Sequence, residues 1–473
     1  MQERHIWSSS IVYILTAAGA TIGFGATWRF PYLVGENGGG AYVLLFIIAM
    51  FVIGIPMTLA ENVIGRRAHK NTIDAFSGEF QRKRINPLWK ILGFMGVIGC
   101  FGIIAYYMVL GGWVVSYIYN ILAGNLDLST PISKEITEQF FYANIEHNPF
   151  YITIFTTIFV VLNWFVLING IQDGIERAMK ILMPLLILCL IGIVIRNLTL
   201  PGASEGVAFY LTPDFSKVTP ALFIAVLGQV FFALSLGYGV VITLSSYLNK
   251  QENLLKTALS AGIINTAIAV LAGFMIFPSL FSFGVSPDSG PSLVFKALPI
   301  VFSNMHFGSF IAIAFFTLLI IAAFTSTITL YEVPITATQE KLRLSRKASC
   351  TLVLVLIFIF GNIPCIMAYG PWSEIKIIGK NIFDAFDFIS GNIFFVLTSL
   401  GVSIFVGWVL KEDALSEINN GTNAHKITKI WFYYVKFVVP IIICVIFVAG
   451  LMDLFQKPEL ESQPTQTITK EIQ

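Results

Sequence analysis

Three glycines, Gly19, Gly23 and Gly25, interrupt the first apolar segment of the chain, and Arg29 follows within the same segment. A helix in a bilayer has to pair all of its backbone groups internally, and each glycine weakens a helix by about 1 kcal/mol relative to alanine. We therefore expect the first membrane span to come apart near Gly23 to Gly25. Unpaired N–H groups at such a break attract anions, and unpaired carbonyl groups attract small cations. The segment predicts a binding site for a carboxylate beside a metal ion.

A second pair of close glycines, Gly237 and Gly239, lies between apolar flanks in the sequence Ser235-Leu-Gly-Tyr-Gly239. It follows the first glycine cluster at a distance of about half the chain. Two interrupted spans at such a separation are typical of an internally repeated transporter.

The composition places the chain in a membrane. Of its 473 residues 56% are hydrophobic and 12% are charged, whereas soluble proteins average about 25% charged residues. The basic residues lie in short loops and form no stripe, so nucleic acid is not an expected partner. The sequence shows no catalytic triad, metal motif or phosphate loop, and its cysteines show no paired spacing, which argues against an enzyme, a disulfide framework and a metal cluster.

At about 20 apolar residues per crossing, the sequence predicts eleven membrane spans. They cover residues 9–35, 40–65, 90–124, 151–169, 176–198, 218–247, 253–282, 308–341, 348–367, 376–410 and 431–455. Most of the 29 basic residues fall on one side of this topology, and the positive-inside rule makes that side, with the N-terminus, cytoplasmic. We expect a multi-pass protein of the cell membrane. The polar tail 456–473 would then lie outside.

Charged residues within the spans favour a transporter over a channel or a receptor. Each charge costs a few kcal/mol at the bilayer centre and therefore indicates function. The residues concerned are Arg29, Glu61, Glu332 and Asp387.

The motifs Trp28-Arg-Phe-Pro31, Glu36-Asn-Gly-Gly-Gly-Ala41 and Gly54-Ile-Pro56 resemble the first two helices of the neurotransmitter:sodium symporter family, which includes bacterial LeuT-like amino acid transporters. Further matches extend through the eleventh span, among them Gly228-Gln-Val-Phe-Phe232 and Thr325-Ser326. The resemblance implies an all-α integral membrane protein of the LeuT-type fold, with two five-helix inverted repeats and broken helices 1 and 6. The repeats would be residues 1–198 and 218–410, joined by an extracellular loop, 199–217. A cytoplasmic loop and the eleventh helix, 411–455, and the tail, 456–473, would follow.

The resemblance also implies that an amino acid zwitterion binds between the two broken helices. Its carboxylate would meet backbone N–H groups near Gly23 and Gly25 and the hydroxyl of Tyr107, and its ammonium group would meet carbonyl groups of the unwound segments. The implied substrate site comprises Ala20, Gly23, Phe24, Gly25, Ile103, Tyr107, Phe232, Ser235, Tyr238, Ser326 and Leu330. Because these positions carry no acid or base, we expect a neutral, hydrophobic amino acid.

Thr325 and Ser326 are adjacent hydroxyls in the eighth span. An isolated pair of this kind usually donates to its own helix, but here it resembles the second sodium site of the family. The implied sodium ligands are carbonyl groups of Gly19, Ile22 and Ala322 with the hydroxyls of Thr325 and Ser326. Oxygen ligands without a carboxylate suit a monovalent ion.

The first sodium site of the family is incomplete in this chain. The positions of its three side-chain ligands are Ala26, Ala233 and Asn265, and alanine offers no oxygen from its side chain. We therefore expect one sodium ion per substrate. Chloride is not expected, because Phe46, Ala233 and Ala269 offer no hydroxyl at the matching positions, although Gln229 and Asn265 remain.

Two gates and one structural carboxylate complete the implied site. Arg29 and Asp387 match the external gate, in which we expect a water-mediated contact, and Arg4 and Glu340 match the cytoplasmic gate. Glu61 would pair with unwound N–H groups of span 6. Glu332 has no counterpart role, and both a proton carrier and a residue of a water-filled inner cavity fit it.

The leading hypothesis is sodium-coupled import of a neutral amino acid across the lipid bilayer. A proton-coupled amino acid transporter and an amino-acid-binding membrane sensor without net transport are the alternatives. The sequence does not indicate the oligomeric state.

Overall fold

The computed structural model describes residues 7–80, 83–286, 293–422 and 424–456, and most of them are helical. Ten helical stretches in these ranges are long and apolar enough to cross a membrane. The sixth predicted span is not among these ten, because its break leaves two pieces, Pro220–Ala233 and Val240–Ser245, that are each shorter than 18 residues. With this broken span the described residues contain eleven crossings.

The spans are numbered 1 to 11 in chain order, and several contain short π-helical turns. Their bounds are Ser10–Glu36, Gly40–Ala68, Lys90–Leu122, Pro149–Leu167, Ile171–Leu198, Pro220–Ser245, Leu254–Ser282, Gly308–Leu342, Arg346–Met367, Ile382–Leu410 and His425–Gln456.

Shorter elements connect the spans. The α-helices are Lys134–Phe141, Ala203–Leu211, Leu298–Ser303 and Glu412–Asn419, the single π turns are Tyr142–Glu146 and Leu293–Ala297, and the 3-10 turns are Asp74–Phe76, Pro87–Trp89 and Phe215–Lys217. Two strands of two residues, Glu79–Phe80 and Lys83–Arg84, pair antiparallel between spans 2 and 3.

Span 1 breaks at the glycine cluster. Its first helix runs from Ser10 to Phe24 but contains Gly23 in a non-helical conformation, with φ −5° and ψ −153°. A π-helical turn, Gly25–Arg29, follows, and the second helix is Phe30–Glu36.

Span 6 breaks between Ala233 and Val240. Ser235, Gly237 and Gly239 all have positive φ angles there. A Cβ atom at Gly237, where φ is +81°, would also collide with the backbone carbonyl of Phe395. Only glycine fits that position, because L side chains disfavour this region of φ.

Both breaks lie within the core of the bundle. Spans 1 and 8 pack along each other, span 3 packs along span 8, and span 7 packs against span 1. The unwound segment of span 1 is therefore surrounded by protein, as irregular backbone at membrane depth requires.

The start of span 10 differs from the expected residue 376. Residues 377 and 380 pair in a tight turn, with positive φ angles at Ile378 and Gly379. The side chain of Asn381 then caps the helix by accepting from the N–H group of Asp384 at 2.8 Å. The apolar residues of this turn extended the predicted span, but the helix begins only at Ile382.

The connection between spans 7 and 8 is packed against the bundle in its described part. Residues 293–303 are mostly buried. The hydroxyl of Tyr117 in span 3 donates to the carbonyl oxygen of Phe295 at 2.7 Å. The described residues of this segment therefore pack back onto the helices.

Candidate functional site

A narrow cavity of about 10 Å³ lies between the two breaks, roughly the space that one water molecule needs. Its walls come from spans 1, 3, 6 and 8. The lining residues are Ala20, Thr21, Gly25, Ile103, Tyr107, Phe232, Ser235, Tyr238, Ser326 and Leu330. All predicted substrate residues except Gly23 and Phe24 are among them, and Thr21 is an addition. None of the lining side chains is acidic or basic.

Gly23 and Phe24 lie directly beside the cavity. A Cβ atom at Gly23 would be 2.5 Å from the hydroxyl of Tyr107 and closer still to Oγ of Ser326. The rings of Phe24 and Tyr107 are in contact, with centroids 4.9 Å apart. Two hydroxyl groups therefore face the bare main chain of the break, in addition to the hydroxyl-bearing Thr21, Ser235 and Tyr238 of the cavity wall.

Two serine hydroxyls hold the carbonyl groups that precede the break in span 1. Ser326 Oγ in span 8 donates to the carbonyl oxygens of Gly19 at 3.2 Å and Ala20 at 3.0 Å. Ser235 Oγ in span 6 donates to the carbonyl oxygen of Ala20 at 3.2 Å. The unwound backbone of span 1 is thereby joined to spans 6 and 8.

The predicted sodium ligands lie along the contact between spans 1 and 8. Ser326 contacts the Gly19 carbonyl directly, whereas Thr325 Oγ1 donates within its own helix, to the carbonyl oxygen of Ala322 at 3.0 Å. The Ile22 carbonyl accepts from the N–H group of Gly25. All five predicted ligand atoms are neutral oxygens, which suit a hard monovalent cation. Their role as sodium ligands stays a prediction.

Two buried amides bridge the breaks, an arrangement that the sequence did not predict. Asn265 Nδ2 in span 7 donates to the carbonyl oxygens of Thr21 at 2.9 Å and Ala233 at 3.0 Å. Gln229 Nε2 in span 6 donates to the carbonyl oxygen of Gly25 at 2.6 Å. The resemblance had placed Asn265 at the incomplete first sodium site, and Gln229 and Asn265 at the chloride positions, but it did not predict these bonds between the amides and the carbonyl groups.

Glu61 in span 2 supports the break of span 6. Its Oε1 accepts a hydrogen bond from the N–H group of Gly237 at 2.7 Å, and the carboxylate is fully buried. The bond satisfies a backbone donor that the interrupted helix leaves without a partner.

Replacing Glu61 with alanine is expected to lower the stability of the protein by about 1–3 kcal/mol, because a buried N–H group loses its acceptor. Glu61→Gln keeps an oxygen at that position and should lose less. Thermal unfolding in detergent, followed by intrinsic fluorescence, measures both variants. A melting temperature of Glu61→Ala equal to that of the wild type would contradict the supporting role.

Arg29 covers the cavity on the side opposite the N-terminus. Its guanidinium carbon lies 4.4 Å from the ring centroid of Phe232, a residue of the cavity wall. Such a cation–π contact is favourable in a desolvated setting. Among the described residues no ion pair within 4.0 Å joins Arg29 to Asp387, so the water-mediated gate stays a prediction.

Two separate groups of hydrogen bonds lie on the side of the N-terminus. The indole N–H group of Trp7 donates to the carbonyl oxygen of Leu244 at 3.0 Å. The backbone N–H group of Trp7 donates to the carbonyl oxygen of Tyr247 at 3.3 Å. Both acceptors lie at the end of span 6. Glu340 accepts from the side chain of Asn71 at 2.6 Å. Arg4, its predicted partner, lies outside the described residues.

Glu332, which had no assigned role, forms an ion pair with Arg346 of span 9. Two nitrogens of the guanidinium donate to the two carboxylate oxygens at 2.8 and 2.6 Å, and Glu332 is fully buried. The hydroxyl of Tyr247 also donates to Glu332, at 3.2 Å. Glu332 therefore joins spans 6, 8 and 9 on this side.

Arg346→Lys is expected to destabilise the protein by about 1–2 kcal/mol, because lysine keeps the charge but cannot donate to both carboxylate oxygens in parallel. The melting temperature in detergent checks this. Lys347→Arg, the opposite exchange at the neighbouring exposed position, is the control and should change little. Equal melting temperatures of Arg346→Lys and the wild type would contradict a stabilising bidentate pair.

Comparison with known proteins identifies the class to which this arrangement belongs. A family model described as the sodium:neurotransmitter symporter family matches residues 4–148 and 143–465. A protein of Haemophilus influenzae, described as an uncharacterized sodium-dependent transporter, is 61% identical over 452 residues, which cover 95% of this chain and 99% of that protein. YhdH of Bacillus subtilis, also described as an uncharacterized sodium-dependent transporter, is 38% identical over 443 residues, which cover 93% of this chain and 96% of YhdH.

A solved structure shares the fold. The crystal structure of MhsT in complex with L-phenylalanine matches with a TM-score of 0.86 and 39% sequence identity, over 95% of this chain and all of the MhsT chain. This confirms the all-α LeuT-type fold for a multi-pass membrane protein. The two broken spans and the cavity between them agree with these matches. The chain belongs to the sodium:neurotransmitter symporter family, a family of sodium-dependent transporters.

Proposed function

We propose that this protein imports a neutral, hydrophobic amino acid by alternating access, coupled to a single sodium ion and independent of chloride. The observation that carries this proposal is the cavity between the two breaks, whose wall combines hydroxyl groups and the main chain of span 1 with apolar side chains. The N-terminal side is taken as cytoplasmic, in line with the distribution of basic residues. Residues 1–198 and 218–410 would form the two inverted repeats.

The cavity supports an amino acid with an uncharged side chain. Ile103, Phe232 and Leu330 line it, and no charged side chain is available there to pair with an acidic or basic substrate. Burying an unpaired charge would cost several kcal/mol, so charged amino acids are disfavoured. MhsT, the relative of known structure, was crystallised with L-phenylalanine, which is consistent with an apolar side chain.

The zwitterionic part of the substrate would bind to the breaks themselves. The hydroxyl of Tyr107 and the backbone near Gly23 would receive the carboxylate, and carbonyl groups near Ala20 and Phe232 would receive the ammonium group. Helix ends provide partial charges of the required sign at both places without a formal charge on the protein.

One sodium ion would bind where spans 1 and 8 meet, at the oxygens of Gly19, Ile22, Ala322, Thr325 and Ser326. An ion there would hold the broken span 1 to span 8. It would also favour the state in which the cavity opens to the outside. Coupling then follows from the different affinities of the two states for ion and substrate.

The pairing of Glu332 argues for sodium coupling over proton coupling. The carboxylate accepts two bonds from Arg346 and one from Tyr247, so the residue that the sequence offered as a proton carrier has a structural role in joining the spans.

Uptake into proteoliposomes tests the proposal. Radiolabelled leucine or phenylalanine should accumulate with an inward sodium gradient and not with potassium, and replacing chloride with gluconate should leave the rate unchanged. Glutamate and lysine should not compete. Uptake that follows an inward proton gradient without sodium would contradict sodium coupling, and saturable binding without uptake would indicate a sensor.

A further inference from the structure

The side chain of Asn265 connects the two unwound segments of the molecule. It lies in span 7 and is fully buried. Its Nδ2 donates to the carbonyl oxygen of Thr21 in span 1, at 2.9 Å, and to that of Ala233 in span 6, at 3.0 Å. These are the carbonyl groups at which the two helices are interrupted or end.

The orientation of this amide follows from its partners. Both are carbonyl oxygens, which only accept hydrogen bonds, and the NH₂ group faces them. It has two hydrogens and serves two acceptors. Asn265 Oδ1 is left buried without a partner among the described residues, and the same holds for Oε1 of Gln229, whose NH₂ group donates to the Gly25 carbonyl. In both amides the NH₂ group is hydrogen-bonded, whereas the oxygen is buried without a hydrogen bond.

A small cation between the same carbonyls would satisfy them in a comparable way. It would, however, need further oxygen ligands. The neighbouring side chains at positions 26 and 233 are alanines, both fully buried, and supply none. The Asn265 NH₂ group meets both carbonyls without additional ligands.

We propose that the Asn265 amide permanently takes the place of a cation between the carbonyls of Thr21 and Ala233. The connection between spans 1 and 6 is then part of the protein and is present at every stage of transport. Sodium acts only where spans 1 and 8 meet. This inference rests on the proposed function and explains its single-ion coupling.

Asn265→Asp tests the inference, because it exchanges the NH₂ group for an oxygen of the same size. An ionised carboxylate cannot donate to the two carbonyls, and three oxygens facing one another require a cation between them. Sodium-dependent binding of leucine should change from first order in sodium towards second order, measured by equilibrium binding at mildly alkaline pH. At low sodium the affinity should fall roughly tenfold and recover at high sodium, as expected when an interaction of hydrogen-bond strength is lost and replaced.

Asn362→Asp is the matched control. Asn362 in span 9 is also fully buried, and its Nδ2 donates to two carbonyl oxygens, those of Ile104 at 3.2 Å and Ala105 at 2.7 Å in span 3. It joins two continuous helices instead of two breaks. This variant should lower the melting temperature without changing the order of the sodium dependence.

A direct count of bound sodium decides the matter even if Asn265→Asp fails to fold. Binding of ²²Na⁺ to the wild-type protein should saturate at one ion per chain, with or without leucine. Two ions per chain would overturn the inference, and so would a folded Asn265→Asp variant with unchanged sodium order and affinity. Absence of any sodium-dependent amino acid uptake would instead refute the proposed function, while the ion count would still test the place of the amide.

Discussion

Replacing Gly23 with alanine is expected to weaken amino acid binding by roughly 100-fold, because overpacking a tight site costs up to about 3 kcal/mol. The added methyl group would lie 2.5 Å from the hydroxyl of Tyr107 and would collide with Oγ of Ser326. Both side chains line the cavity. Their displacement would remove a carboxylate donor and, at Ser326, a ligand that we assign to sodium.

Gly228→Ala is the matched control for Gly23→Ala. Gly228 lies in the first helix of span 6, and a Cβ atom there would meet nothing within 4 Å. Alanine should leave binding unchanged and slightly favour the helix. Equilibrium binding of labelled leucine or phenylalanine to both purified variants gives the comparison. If Gly23→Ala binds within a factor of a few of the wild type, the carboxylate does not bind at this break.

The double variant Thr325→Ala, Ser326→Ala is expected to abolish the stabilisation of the protein by sodium. A ligand present at about 100 times its dissociation constant stabilises the folded state by about 2.7 kcal/mol, and this gain should disappear with its two hydroxyl ligands. Melting temperatures in sodium and in potassium, without amino acid, measure the effect. Leaving the substrate out matters because Ser326 also lines the cavity.

Two single variants refine this test. Thr325 does not line the cavity, so Thr325→Val should lose sodium stabilisation with a smaller direct effect on substrate contacts. Thr329→Val is the control, because the Thr329 hydroxyl donates to the Ser326 carbonyl in the same helix, at 2.8 Å, and has no assigned ligand role. Sodium stabilisation that survives in the double variant would move the ion to another place, with Asn265 as the first candidate.

The breaks were predictable from the chain because their cause is local. Three glycines in seven residues weaken one helix, and the glycines at 237 and 239 weaken another, whatever the tertiary contacts of these helices are. The residues of the cavity wall were predictable for a different reason. They occupy positions that match motifs of the family, and all but Gly23 and Phe24 of the predicted set line the cavity.

Other features depended on packing between distant parts of the chain. From the sequence, Glu332 was a charge within a span without an assigned role. In the structure it pairs with Arg346, which follows the end of span 8, where Arg343 has a positive φ angle. The guanidinium of Arg29 stacks on Phe232, a contact that the sequence did not predict, while its water-mediated gate with Asp387 stays a prediction. Both contacts depend on how the helices of the bundle pack.

The sequence by itself determined the membrane class, the crossings and the two points at which helices come apart, because hydropathy and backbone pairing act over a few neighbouring residues. Only the tertiary structure decided what those opened segments contact. Asn265 and Thr21 are 244 residues apart, and Ser326 and Gly19 are 307 apart. Hydrogen bonds across such separations exist only once the spans have packed, since the orientation of each donor depends on the acceptors that neighbouring helices bring to it.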